Sequence, residues 1–293
     1  METTGTFKGD QQGSELSGKE KTLFSQQGIE EGKKLDKKYT EEAFQLVVAA
    51  GEIQLQSGAE ISRVEQTMKH MAQALYLDSL ETYIIANGIF ATANGQDQIQ
   101  KAGIKHIPTG NTDLRKIEEI NSLSRNLEQG KYTMEEAWQK MEEIKKMGDY
   151  PPAMVIAAYA IGAGSFCYAL GGSGHDALVA TVVGLALGIF FHFLKLGETS
   201  KAIHTVLGSM LATFLASILF RAGFGDTEHR IIVGVMITMI PGVSFANAIR
   251  DFVENDYVSG LIRLMDVLLT LVSIVAGVVL VWSIPGFWHG RGM

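Results

Sequence analysis

The chain has 293 residues, 46% of them hydrophobic, a net charge of -7, five prolines and one cysteine. These averages hide a division, because 18 of the 25 Lys+Arg and 24 of the 32 Asp+Glu fall in residues 1–150, which leaves a second half nearly free of charge and rich in apolar runs of the roughly twenty residues that cross a bilayer. A purely soluble protein is excluded, the acidic balance offers no basic patch for a nucleic-acid backbone, and a lone Cys167 in an apolar run excludes an intrachain disulfide and a Cys-based zinc site.

Residues 1–39 are polar, with too few sizeable hydrophobes to offset the entropy of ordering, and predict a disordered N-terminal tail without the apolar core of a secretory signal. From Thr40 the pattern becomes helical: Phe44, Val47, Val48 and Leu55 mark one amphipathic helix, and Ile61, Val64, Met68, Met71 and Leu75 a second after the Ser57-Gly58 break. Residues 80–93 (LETYIIANGIFATA) carry a central Asn87-Gly88 turn signal between β-prone runs, and Ile99 to Pro108 offers another short extended run, so a small sheet follows. Leu114, Ile117, Ile120, Leu123 and Leu127 mark a third helix ending at Gly130. Met134, Ala137, Trp138, Met141 and Ile144 mark a fourth ending at Gly148. The predicted order is ααββαα, an α+β domain over residues 40–149.

Pro151-Pro152 opens a membrane domain over residues 150–293, an all-α bundle with five spans at about 153–170, 176–194, 202–220, 231–249 and 261–284. Lys145, Lys146, Lys195, Lys201, Arg250 and Arg263 flank one side and Arg221, Arg230 and Arg291 the other. The positive-inside bias then predicts a cytoplasmic N-terminus and an external C-terminus, with Trp282, Phe287 and Trp288 at the outer interface.

Small residues in the first span (Ala157 to Ser165) and the Gly184/Gly188 pair in the second signal close helix packing, or the lining of a substrate path. The fourth span is the informative one. Met239-Ile240-Pro241-Gly242 removes a backbone donor and frees carbonyls at mid-span, which predicts a broken helix of the kind around which secondary transporters build binding sites. Beyond it, Asn247, Arg250 or Asp251, and Glu254 share a helical face, and after Ser259-Gly260 come Arg263 and Asp266 one turn apart. One reading is a solvated loop with local Arg-Asp pairs; the other is a charged vestibule for a zwitterion or carboxylate. His175, His192 and His204 border spans, where they could relay protons or simply sit at the interface.

In the polar half, Ser57, Gly58, Glu60 and Arg63 with Glu65 and His70 raise an alternative, a membrane-anchored hydrolase using Ser57 and His70. The plainer reading is that Ser57 caps a helix whose third position is Glu60. A non-transporting membrane scaffold is the third alternative. No Walker-type phosphate loop is present, so ATP-driven transport lacks its cradle in this chain, and the sequence predicts no cofactor, no metal site and no enzyme.

The segments GEIQLQSGAEISRVEQTMKHMAQAL, ETYIIANGIFAT and PGVSFANAIRDFVENDYVSGLIRLMD, in that order, resemble the N-terminal module of the threonine/serine exporter (ThrE) family, and in size its YjjP-type split-exporter large subunit. The likeness covers about residues 40–285. It implies a secondary efflux transporter of the bacterial inner membrane. Its cytoplasmic α+β domain and five spans would work with a second module, either fused or made as a separate small membrane subunit (YjjB-type). The substrate would be threonine and serine, driven by the proton motive force, or in split members a dicarboxylate such as succinate. A homo-oligomer stays open. Carried over residue by residue, the family pattern stresses Ser57, Gly58, Glu60 and Arg63 in the first motif and Pro241, Gly242, Asn247, Arg250, Asp251, Ser259, Gly260 and Arg263 in the second. The sequence departs from many relatives at Glu254-Asn255-Asp256, where a glycine precedes the acidic residue in them.

Overall fold

The computed structural model describes residues 37–77, 79–94, 100–107, 112–194 and 200–284, in two compact units that divide between Lys145 and Lys146. The predicted tail, Lys195, Pro108, Phe287, Trp288 and Arg291 lie outside the described residues, apart from Lys37–Tyr39, which open the first helix.

The first unit consists of α1 (Lys37–Gln56), α2 (Ile61–Ala74), β1 (Ser79–Ile85), β2 (Gly88–Asn94), β3 (Gln100–His106), α3 (Leu114–Glu128) and α4 (Met134–Lys146). The helical spacings place the core as the sequence predicts. Val64, Met68 and Met71 of α2, Ile120 and Leu123 of α3, and Ala137, Met141 and Ile144 of α4 are buried. The sheet differs. It has three antiparallel strands in the order β1-β2-β3, so the element order is ααβββαα: the run read from Ile99 to Pro108 contributes a strand of its own. Its signal was weak because Lys101, Lys105 and His106 interrupt the apolar pattern, and pairing supplies what propensity does not. Phe90 stands opposite Tyr83 on one side and Ile104 on the other, while Ile89, Ala91 and Ala93 face the buried side, where α1 and α2 pack.

The second unit comprises α5 (Pro152–Ala169), α6 (Gly174–Phe193), α7 (Lys201–Arg221), α8 (Glu228–Ile237), α9 (Gly242–Val253) and α10 (Tyr257–Trp282). Four of these, α5, α6, α7 and α10, are long and apolar enough by length and composition to cross a membrane. The pair α8 and α9 makes a fifth only if counted as one span, bent by 63° at its break. Close backbone approach explains the tight α5–α6 pair. A Cβ on Gly184 would fall 2.5 Å from the Tyr159 carbonyl and 2.7 Å from Ala163 Cβ, and one on Gly188 3.0 Å from Ile156 Cα, so these glycines serve packing as small-xxx-small pairs do. Ala163, Cys167, Val183, Leu187, Ala216, Ile231 and Val235 form the centre of the bundle.

Helix α10 runs alongside α7 in the same direction. Asp266 meets Lys201 at the start of α7, and Gly277 lies against Ser209 and the Val206 carbonyl further along it. The first nine residues of α10, roughly 14 Å of helix at 1.5 Å per residue, therefore precede the level of Lys201. They pack against α9 instead.

Candidate functional site

The break in the fourth apolar segment is present and has a visible mechanism. The last turn of α8 tightens, with Thr238, Met239 and Ile240 donating to the carbonyls of Val235, Met236 and Ile237 at 3.1, 2.9 and 3.1 Å. Pro241 cannot donate and adopts φ -79°, ψ 69°, after which Phe245 N–H to the Pro241 carbonyl, at 3.0 Å, begins α9. The i→i-3 bonds and the missing donor together turn the chain. Gly242 has open space around it. Beside the break, α5 and Thr238 enclose a cleft of about 510 Å³ lined by Tyr150, Met154, Ala158, Tyr159, Gly162 and Phe166 among others. The small residues of α5 thus serve both packing and an opening next to the irregular backbone.

Beyond the break, α9 and α10 form a hairpin closed by a turn in which Asn255 takes φ 66°. Gly260 allows the close approach, since a Cβ there would stand 3.0 Å from the Phe252 ring and 3.1 Å from the Ala248 carbonyl. Between the arms lies a buried ion pair: Arg263 Nε is 3.1 Å from Asp251 Oδ2, with side chains 10% and 2% exposed. Asn247 and Ser259 are buried nearby on the two arms, and Ser259 Oγ donates to Asp256 Oδ2 at 2.9 Å. Arg250 is exposed. The predicted face therefore splits, Asn247 and Asp251 turning toward α10 and Arg250 and Glu254 away from it.

The local Arg263–Asp266 pairing suggested by one-turn spacing is corrected by the structure. Asp266 receives Lys201 of α7 at 2.7 Å, because the parallel course of the two helices brings the first residue of α7 to it. Lys201 was legible as a flanking charge only.

The border histidines have partners. His204 Nε2 lies 2.6 Å from the Leu194 carbonyl and its ring stacks on Phe191, His192 meets Phe193 edge-on, and His175 Nδ1 is 3.9 Å from Asp226 Oδ2. Near the opposite end of α7 lies a residue that periodicity does not single out. Asp176, fully buried, forms a capping box with Ser173 and also accepts the N–H groups of Asp226 and Thr227 at 2.6 and 2.9 Å. It ties the α7–α8 loop to the start of α6. The Ser-x-x-Asp pattern at the head of an apolar run was the available signal.

In the first unit, Ser57 does not cap α2. Its N–H bonds to the Ile53 carbonyl, while Gly58 N–H reaches Leu55 and Ala59 N–H reaches Gln54. With Gly58 at φ 80°, this is a Schellman ending to α1. The N-cap of α2 is Glu60, whose side chain makes no capping bond, and Arg63 stands 4.0 Å from it. The motif instead docks the start of α3, through Asp113 N–H to the Ser57 carbonyl at 3.1 Å. Asp113 caps α3 and holds Arg115 at 3.0 Å. Burial raises the Asp113 carboxyl, but the Arg115 side chain and the backbone N–H groups outweigh this and leave it below its ordinary value. His70 pairs with Glu128 of α3 on the exposed surface, whereas Ser57 is buried, so the serine and histidine of the hydrolase alternative are engaged separately. A further polar group lies under the motif: Gln54, 1% exposed, donates to Asn121 Oδ1 at 2.8 Å and to Thr67 Oγ1 at 3.4 Å. A glutamine on the buried face of α1 was its sequence signal.

Among known proteins, the threonine/serine exporter (ThrE) family model matches residues 45–284. A probable threonine/serine exporter of Mycobacterium tuberculosis is 23% identical over 84% of this chain and 47% of its own length. The threonine/serine exporter of Corynebacterium glutamicum is 23% identical over 80% of this chain and 49% of its own. The probable succinate transporter subunit YjjP of Escherichia coli is 22% identical over 83% of this chain and 95% of its own length. The chain thus spans about half the length of the two exporters and nearly all of the subunit. No solved structure matches it.

Proposed function

Since the chain belongs to the threonine/serine exporter family, we propose that it is the large subunit of a secondary efflux transporter in a bacterial inner membrane, exporting a small hydroxy amino acid or a dicarboxylate. The family match over residues 45–284 carries this reading. The apolar helices α5, α6, α7 and α10 support a membrane protein, and the broken α8–α9 segment supports transport, since irregular backbone inside an apolar bundle is tolerated where it lines a cavity. In this reading the first unit is cytoplasmic, the C-terminus is external, and α8 with α9 counts as the fifth span. The proton motive force drives export, and a second small membrane subunit supplies the other module, as the name of the YjjP relatives ("subunit") suggests.

Pro241 and Gly242 would open the path at the break, and Asn247, Arg250, Asp251, Ser259, Gly260, Arg263 and Asp266 would form its charged approach. The Arg263 guanidinium, enclosed between α9 and α10, suits a carboxylate, which both substrate classes carry. The first-motif residues Ser57, Gly58, Glu60 and Arg63 act as architecture, joining α1, α2 and α3.

The test is efflux from cells loaded with labelled threonine, serine or succinate, with and without this chain and a small second-module membrane subunit. Faster export that requires both chains is expected. Export unchanged by their presence for all three compounds would overturn the reading.

A further inference from the structure

We propose that Asp251 is a built-in stand-in for the substrate carboxylate: it occupies the Arg263 guanidinium when the site is empty, and an incoming carboxylate displaces it, releasing α9 from α10. The proposal rests on the exporter reading and specifies how its charged site is regulated.

Three observations lead there. The pair is enclosed, with Arg263 10% and Asp251 2% exposed at 3.1 Å, so a ligand reaches the guanidinium only when the arms part. Next, α9 is bounded by two irregular joints, the tightened turn and Pro241 at its start and the Asn255 turn at φ 66° at its end, and its principal packing partner is α10. Such an element can rotate as a unit about a few residues. Finally, α9 is amphipathic in the inverted sense. Asn247, Ala248 and Asp251 are buried against α10, while Val243, Phe245, Ile249 and Val253 are exposed. The helix hides its acid and, apart from the exposed Arg250, shows an apolar face outward. An acid in that position is costly unless a cation neutralises it, so separating the arms favours a replacement anion for Arg263, and a carboxylate is the same kind of anion as the Asp251 side chain.

Energetically this is an exchange. The closed hairpin is favoured by Asp251 as an intramolecular ligand, and a free carboxylate wins only by its differential affinity for the open arrangement. A neutral isostere has no such preference. Selectivity for anionic groups thus follows from the lock and not only from the binding contacts.

The experiment reads the opening directly. In a Cys167→Ala background, Ala248→Cys places a thiol at a position that is 0% exposed between the arms. Its rate of maleimide labelling is followed in everted membrane vesicles carrying the full chain together with the second membrane subunit proposed for it, with succinate, L-threonine, or their carboxamides, which lack the carboxylate, as probes. Ser259→Cys, also 0% exposed, is the second reporter should the first fold poorly, read for labelling alone. Succinate or threonine is expected to speed labelling about tenfold, the amides not at all, and Asp251→Asn to give the fast rate without any probe. Labelling that ignores both the carboxylates and Asp251→Asn, in vesicles that still transport, would overturn the latch and leave the exporter reading intact. Labelling that ignores them in vesicles that transport none of these compounds would overturn both.

Discussion

Asp251 and Arg263 face each other across the α9–α10 hairpin at 3.1 Å, while Asp266, one turn from Arg263, is claimed by Lys201. The pairing dictates which double substitution compensates. Arg263→Ala leaves Asp251 buried without its cation, a loss on the order of 3–5 kcal/mol, and should deplete folded protein in the membrane. Adding Asp251→Ala should restore abundance, whereas adding Asp266→Ala should not. Thermal melts of detergent-purified protein check this; equal rescue by both second changes would contradict the observed pairing. In the exporter reading, efflux stays lost in the rescued Asp251/Arg263 double variant.

Asp176 predicts a second asymmetry. Replacing it with Ala strips the acceptor from three N–H groups, those of Ser173, Asp226 and Thr227, each bond to a charged group contributing about 1.5–3 kcal/mol. Ser173→Ala removes a cap alone, about 1 kcal/mol. The melting temperature should fall much further for Asp176→Ala than for Ser173→Ala, and similar losses would show that the α7–α8 loop does not depend on the carboxylate.

The glycines of the membrane unit should separate cleanly. Gly184→Ala forces a methyl to within 2.5 Å of the Tyr159 carbonyl and should cost about 1–3 kcal/mol. A Cβ added to Gly242 would meet nothing within 4 Å and the residue opens a helix, so Gly242→Ala should be neutral or stabilising by up to about 1 kcal/mol. Melts of the two variants decide it, and a large loss at Gly242 would mean that its neighbourhood is more crowded than the structure shows.

Asp113 brings a pH dependence. Its carboxyl lies below the ordinary 3.8 in the folded protein, so its contribution is complete above that value and disappears as pH falls through the lower folded value. Asp113→Ala should therefore melt earlier than the parent at neutral pH, by a loss of about 1 kcal/mol, with the gap closing in strong acid. A gap that widens on acidification would reverse the assigned sign.

Much of the architecture was legible because it obeys short-range rules. The three- and four-residue spacing of Met68, Met71, Met141 and Ile144 marked the core faces, and Pro241 marked the break. What escaped depends on tertiary partners. Arg263 and Asp266 look like a pair in sequence, yet α10 lies beside α7 and against α9, and both charges find partners on those helices. Ser57 was misread because a helix ending and a helix beginning share residues 57–60, and only the positive φ of Gly58 shows that the serine belongs to the ending. Strand β3 carries Lys101, Lys105 and His106 among its seven residues and becomes a strand by pairing with β2. Gln54 interrupts an apolar stripe, a signal that gains meaning once Thr67 and Asn121 stand beside it.

The most direct measurement is transport by purified protein in sealed vesicles, with this chain alone and with the second membrane subunit proposed for it. In the proposed two-module transporter, movement of threonine, serine or succinate driven by an imposed proton gradient should require both chains, because one module alone would present packing faces without a partner. Transport by this chain alone at the rate of the pair would contradict the account.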